Sequence, residues 1–411
     1  MIVEELNKLG KRASFIAKGN QKTIEAFSNK NHADVTYSSD ELCAMMDCYA
    51  KPRDLREHLK KLMEDGVYSF DQLANKQYAL TQDQVRWLAD HNKQPKYEYK
   101  SLRAVVAAFL NLKGGVGKST LTVNFAEGCT LMPSTIVQDK KILIIDLDPQ
   151  ASTTFHFLKG KLQENHISAT QLMSMESDDI NRKLIEEWSI CKTNNANIDI
   201  IASSTNDGFV ADTLYGLAEK QNIAVHDLLR IKVIEHIQDD YDYILLDVGP
   251  HLDAVLKTAL GAIDGFFLPT TPKIIDFDST LKFIGRWEDL FGELENEGYD
   301  LKRLKFIKGF LNMTSASSSS LKEEYNHRAH LDLRQIFKQS YIPAQLSDSF
   351  VHQRCMNYGY TVFSMSERGY KHYEIGDIKT FSNKKSELSK WVEQIEMTLI
   401  DCHEEMETYN E

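Results

Sequence analysis

The sequence predicts an α/β chain: a parallel β-sheet covered by helices on both faces, preceded by a small α-helical domain. Three observations carry this. After residue 104, short apolar runs alternate with helical stretches, the pattern of strand–helix–strand units. A glycine- and lysine-rich loop follows the first apolar run directly and precedes a helical one. Residues 1–103 differ in texture: they hold 17 Lys and Arg against 15 Asp and Glu, a net of +2, whereas the rest of the chain is strongly acidic and the whole carries −12.

Length and composition narrow the class. At 411 residues, 42% hydrophobic and 26% charged, the chain suits about two to three globular domains rather than a disordered polymer. The longest apolar run, near Ala104–Leu110, is too short to span a bilayer. The acidic start Met1-Ile2-Val3-Glu4-Glu5 lacks the basic-then-apolar order of a signal peptide. Six scattered cysteines include no C-x-x-C pair, so no disulfide framework, zinc site or iron–sulfur site is expected. The 13 histidines show no H-E-x-x-H spacing, and no nucleophile–base pair stands out. A cytoplasmic protein is expected.

Residues 1–28 read as one long helix, with Leu6, Leu9, Ile16, Ile24 and Phe27 among its apolar positions and Gly10 and Gly19 as interruptions. Tyr37–Leu42 contains a cap with acidic residues after it, opening a short helix to about Cys48. Pro52 stands at a first helical position, and Asp65-Gly66 stops the helix it begins after Glu64. Leu55, Leu59 and Leu62 mark its buried face; Lys51, Arg53, Arg56, Lys60 and Lys61 lie mostly on the other. The two helices suit a helix-turn-helix with the second reading DNA, and 67–70 with 77–80 suit a small wing. The polar, proline-containing stretch after His91 reads as a linker.

The predicted strands are Ala104–Leu110, Lys141–Asp146, Ile198–Ala202, Tyr243–Asp247, Gly265–Pro269 and Lys305–Leu311. In such sheets ligands bind at the carboxyl ends of strands, and the sharpest motifs lie there. Lys113-Gly114-Gly115-Val116-Gly117-Lys118-Ser119-Thr120 has the glycines and helix start of a phosphate-binding loop, so the sheet is P-loop NTPase-like. Lys118 supplies a cation for β/γ-phosphates and Ser119 a hydroxyl for Mg²⁺. Leu112 stands where the usual pattern has glycine, and a second lysine, Lys113, opens the loop. Asp146 and Asp148 end the second strand before Pro149; Asp247 ends the fourth. Carboxylates there order Mg²⁺-bound water and orient an attacking water.

The double-lysine loop, the Asp146-x-Asp148-Pro149-Gln150 strand end and the Asp247 strand resemble the deviant Walker A ATPases of the ParA/MinD family. Asp247-Val248-Gly249-Pro250-His251-Leu252-Asp253 and the N-terminal extension are similar to the large ParA proteins of plasmids and secondary chromosomes. The resemblance implies an ATP- and Mg²⁺-dependent homodimer in which Lys113 reaches the partner's phosphates. It implies Lys118 as Walker lysine, Ser119, Asp146 and Asp247 as the metal's supports, and Asp148 as the carboxylate needed for hydrolysis. Gly114, Gly115, Val116, Gly117 and Thr120 complete the ATP loop, with Pro272 and Asn312 as base-pocket positions at later strand ends. The implied organisation is an N-terminal helix over 1–35 suited to dimerisation, a helix-turn-helix domain over 36–92, a linker over 93–103 and the ATPase domain over 104–411.

The same resemblance implies DNA partition: operator binding through Lys51, Arg53, Arg56 and Lys60, non-specific DNA binding through Arg354 and Lys371, Lys379, Lys384 or Lys385, filament formation, nucleoid association, and stimulation by a ParB-type centromere-binding partner. The last helix has Leu388, Trp391, Val392, Ile395 and Leu399 at helical spacing, but its acidic tail has the wrong sign for anionic lipid, so packing and no membrane contact are expected. Alternatives are a MinD-like membrane-positioning ATPase and a transcriptional repressor that keeps ATP as a ligand; a cluster carrier like the nitrogenase iron protein lacks its bridging cysteines.

Overall fold

The structure, a computed structural model, describes residues 6–16, 19, 35–46, 48–72, 77–97, 103–315, 320–373 and 375–407. Residues 6–16 form a helix (α1) with Leu6, Leu9 and Ile16 exposed, and Ile24 and Phe27 lie outside the described residues. Strand β1 (Tyr37–Ser38) leads into α2 (Ser39–Met45), where Ser38 and Glu41 form a reciprocal capping box. This helix ends three residues before the expected Cys48. Helix α3 (Pro52–Glu64) matches the expected bounds and buries Leu55, Leu59 and Leu62. Strand β2 (Ala79–Leu80) pairs antiparallel with β1 and not with 67–70, the expected first limb of a wing; Gln72, just beyond that limb, bridges Tyr78.

Helix α4 (Gln82–His91), unforeseen in the sequence, carries its own capping box, Thr81 with Gln84. It docks this domain on the rest of the chain. Arg86, only 9% exposed, donates to the Thr130 carbonyl and pairs with Asp139, while Tyr37 donates to the Leu131 carbonyl at 2.7 Å. Ile136 and Val137 complete the N-terminal core. Part of the expected linker is anchored too: Lys96 pairs with Asp90, and the Tyr97 hydroxyl donates to Glu404.

The central sheet contains β3 (Val105–Phe109), β4 (Ile142–Asp146), β5 (Ile190–Lys192), β6 (Ile198–Ile201), β7 (Tyr243–Asp247), β8 (Gly265–Thr270) and β9 (Phe306–Leu311), in the order β5-β6-β4-β7-β3-β8-β9. Six strands are parallel and coincide with the predicted runs to within a residue; β5, which the sequence did not reveal, adds an antiparallel edge on β6. Both faces are buried, so each strand feeds two cores. In β3, Val106 and Ala108 face one and Val105, Ala107 and Phe109 the other. The second core is closed by helix α5 (Lys118–Leu131) and the C-terminal helix Ile378–Glu407, whose Leu388, Trp391, Val392, Ile395 and Leu399 are all buried. The two approach closely at Gly128, where a β-carbon would stand 2.7 Å from Val392. That apolar stripe is core, and no described helix is long and apolar enough to cross a membrane.

A buried ion pair pins the C-terminal helix: Lys140 meets Glu396, both under 10% exposed, with the ammonium 5.6 Å from the Tyr243 ring centre. Removing one partner leaves the other's charge desolvated, so Glu396→Ala should destabilise the fold by about 3 kcal/mol in urea unfolding, more than Glu396→Gln.

Candidate functional site

The carboxyl ends of β3, β4 and β7 lie side by side because these strands are neighbours, and they deliver the three motifs to one place. The loop after β3 turns through Gly115 (φ 78°) and Gly117 (φ 90°), a conformation that side chains strain to adopt. At Gly117 a β-carbon would also lie 2.8 Å from the Asn312 amide nitrogen. Gly117 caps α5, so the free backbone N–H groups of the first turn face the loop's hollow, as an anion site requires. Lys118 is 7% exposed; burial lowers its pKa, against the attraction of Asp247 and Asp148.

Asp146 and Asp247 are register partners across β4 and β7, so two buried carboxylates stand next to each other. Asp146 accepts from the backbone N–H and hydroxyl of Thr154 (2.8 and 2.7 Å) and from the Asp148 N–H (3.1 Å). Asp247 Oδ2 accepts from the Thr153 hydroxyl at 2.5 Å, while its Oδ1 is buried with no partner. Burial pushes both acids up, and for Asp146 the Asp247 charge adds to it. Thr153 and Thr154 start helix α6 (Ser152–Leu158) and were not singled out from sequence; two hydroxyls right after an acidic strand end are the signal that could have found them. An orphaned carboxylate oxygen within a like-charged pair is a place where a divalent cation fits, with the Ser119 hydroxyl also on Asp247.

Asp148 is half-buried at the mouth of the site, its Oδ1 accepting from the Gln150 N–H at 2.9 Å. Lys113 stands apart from the hollow. Its ammonium lies 3.2 Å from Asp276, on the helix Ile274–Ile284, and Thr271 donates to the other Asp276 oxygen. Its own N–H is held by Asn111, which in turn donates to Pro269 and Thr280. Around this rim Leu252, Ile274 and Ile275 are exposed.

Beside the loop opens a cavity of about 330 Å³, lined by Gly117, Thr120 and Asn312 among others. Asn312 donates to the Val116 carbonyl at 2.8 Å. Pro272 is buried in the turn after β8, next to Thr271, and is not part of that lining.

The basic side chains fall in two regions. Lys51, the N-cap residue of α3, and Arg53, Arg56 and Lys60 on it are all exposed, with Arg53 paired to Glu57 and Lys60 to Glu64. Arg354 is exposed on the helix Phe350–Asn357 and donates to the Ile375 carbonyl, with Lys371 and Lys379 exposed nearby in sequence. Lys384 corrects the expectation for that surface: it is 3% exposed, held by Glu387 and the Ser347 carbonyl, so it has no charge to offer DNA. Lys385 is half-buried.

A profile of the AAA domain family matches residues 104–289. The chain is 31% identical to plasmid partition protein A of Escherichia coli over 318 residues, covering 76% of this chain and 79% of that one. It is 32% identical to the virulence plasmid ParA family protein pGP5-D of Chlamydia psittaci over 45% of this chain and 66% of the relative. A solved structure described as a partition protein superimposes with a TM-score of 0.66 at 28% identity, covering 85% of this chain and 93% of that chain.

Proposed function

Because the chain belongs to the ParA/MinD family of P-loop ATPases, among its partition proteins, we propose that it hydrolyses ATP to drive the partition of a DNA molecule. The observation that carries this reading is the meeting of the phosphate loop, the Asp146–Asp247 pair and Asp148 at neighbouring strand ends, with a second lysine poised outside the hollow. ATP occupies the loop, its phosphates on the first-turn N–H groups and Lys118, its base in the adjoining cavity. Ser119, Asp146 and Asp247 would hold Mg²⁺, which would offset phosphate charge.

Two copies close face to face over the nucleotides. Lys113 exchanges Asp276 for the partner's phosphates, and the exposed Leu252, Ile274 and Ile275 supply apolar contact. Asp148 orients the attacking water, while Lys118 and Lys113 stabilise charge spreading over the γ-phosphate. The ATP dimer binds non-specific DNA, with or without filament growth, and a ParB-type partner on the centromere stimulates hydrolysis and release. Helix α3 reads the operator for autorepression. Asp148→Ala tests the core of this: with ATP and Mg²⁺ it should accumulate as dimers on a sizing column while releasing no phosphate. A wild-type chain that never hydrolyses ATP, with DNA and partner present, would reduce the reading to a nucleotide-responsive repressor.

The two DNA surfaces separate experimentally. Replacing Arg53 and Arg56 by Ala should abolish operator retardation in gels and leave ATP hydrolysis within about twofold, since α3 lies in a different domain. Arg354→Ala should weaken binding to any duplex and lower the slope of log affinity against log salt by about 1.

A further inference from the structure

Among the described residues the buried lysines are Lys118, Lys140, Lys159, Lys232 and Lys384, all under 10% exposed. A buried ammonium is costly unless it is matched. Lys140 meets Glu396, Lys232 donates to the Met173 and Met175 carbonyls and to Gln221, and Lys384 has Glu387 and Ser347. Lys118 and Lys159, each 7% exposed, make no hydrogen bond or ion pair among the described residues. Lys118 belongs to the phosphate loop, where a nucleotide supplies the counter-charge. Lys159 caps the far end of α6 from Thr153 and Thr154, and needs a counter-charge of its own.

Lys159 lines a cavity of about 90 Å³ to which the N-terminal domain contributes Gln82 and the ATPase domain Glu127, His156, Asn194 and Tyr360 among others. None of these residues borders the cavity beside the loop. The Lys159 ammonium lies 5.4 Å from the Tyr360 ring centre, and a β-carbon at Gly359 would stand 2.8 Å from the lysine's stem, which is therefore packed against backbone. Burial lowers the Lys159 pKa, against the attraction of Glu127. Glu127 is itself engaged: the Thr361 hydroxyl donates to one oxygen, and His156 Nε2 stands 3.5 Å from the other. Burial alone would raise the Glu127 pKa, but hydrogen bonds from His156, Ser364 and Thr361 hold it below the ordinary carboxylate range. We propose that this interdomain cavity binds a phosphate-sized oxyanion on Lys159, with the Gln82 and Asn194 amides as further donors. Volume sets the class: the space holds a few non-hydrogen atoms, far less than the roughly 300 Å³ of a drug-sized ligand site. The inference is independent of ATP hydrolysis.

The experiment is calorimetric titration of the full chain with inorganic phosphate, at an ionic strength fixed with chloride and with ADP and Mg²⁺ present to fill the phosphate loop. Wild type should bind phosphate with a Kd of about 1 mM. Lys159→Met keeps the stem and removes the charge, and should bind at least about tenfold more weakly. Gln82→Ala should weaken binding about threefold. Lys118 is intact in all three chains, so any phosphate taken by the loop is common to them and cancels in the comparison. Melting gives a second readout: phosphate should raise the Tm of wild type on the order of 2 °C and leave Lys159→Met unmoved. Absence of phosphate binding by wild type overturns the proposal, and so does equal binding by wild type and Lys159→Met, which would make the lysine a packing residue. Should Lys159→Met fail to fold, Gln82→Ala carries the comparison, and unchanged affinity in that variant overturns the site.

Discussion

Lys113→Ala should leave ATP bound within a few-fold of wild type but cut DNA- and partner-stimulated hydrolysis by about 10²-fold or more. The reason is the position of the side chain. Lys118 already lies within the loop's own hollow, whereas the Lys113 ammonium is turned to Asp276 on a neighbouring helix, a third exposed. In a single chain it therefore contributes little to its own nucleotide, and in the proposed face-to-face dimer its charge is used only when a partner's phosphates arrive. Asp276 then becomes a competitor for that charge. Asp276→Asn removes the competitor while keeping an acceptor for Thr271, and a half-exposed ion pair is worth about 1 kcal/mol. The variant should dimerise at roughly fivefold lower concentration in the presence of a non-hydrolysable analogue. Sedimentation velocity measures this directly, and a Lys113→Ala chain that dimerises and hydrolyses normally would remove the lysine from the mechanism.

The second large effect is expected at Asp247, where activity and stability should move in opposite directions. Asp247→Asn keeps an acceptor for Thr153 and removes one charge from a buried pair, so without ligand it should melt on the order of 2 °C above wild type near pH 8. Asp146 is the poorer place for the same change, because it accepts from three donors and an amide nitrogen would face one of them. The pH dependence has a definite sign. Both acids titrate higher in the folded chain than in the unfolded one. The folded wild type is therefore favoured at low pH, and that advantage is lost as pH rises from the ordinary carboxylate range, about 4, through the raised folded values. The variant escapes part of this loss, so its lead over wild type should widen between pH 5 and 8. Mg²⁺ with ATP should reverse the order, stabilising wild type and not the variant, and hydrolysis by the variant should fall about 10²-fold. A lead that shrinks with rising pH would contradict the raised acidities.

Where a feature is written in neighbouring residues, the sequence discloses it. The six parallel strands are continuous apolar runs, and the loop, Asp146, Asp148 and Asp247 follow three of them within a few positions. Helix α3 announces itself by Pro52 and Gly66. Helix α4 carries as clear a start in Thr81 and Gln84, but the polar stretch that follows it hides its apolar face in the sequence. Strand β5 could not be read this way: it is three residues long, half-exposed, and defined by its pairing with β6. The remaining gaps come from contacts between distant segments. Nothing near Lys113 points to Asp276, and Lys384 looks like any surface lysine until Ser347 and Glu387 enclose it.

Helix α5 has a different tenant at each end. Its first turn forms the floor of the phosphate hollow, and its last two carbonyls, Thr130 and Leu131, are taken by Arg86 and Tyr37 of the N-terminal domain. Fourteen residues of regular helix make a strut of about 21 Å, too stiff to absorb a push along its axis. The N-terminal domain and the phosphate loop are thus held by opposite ends of one rigid helix.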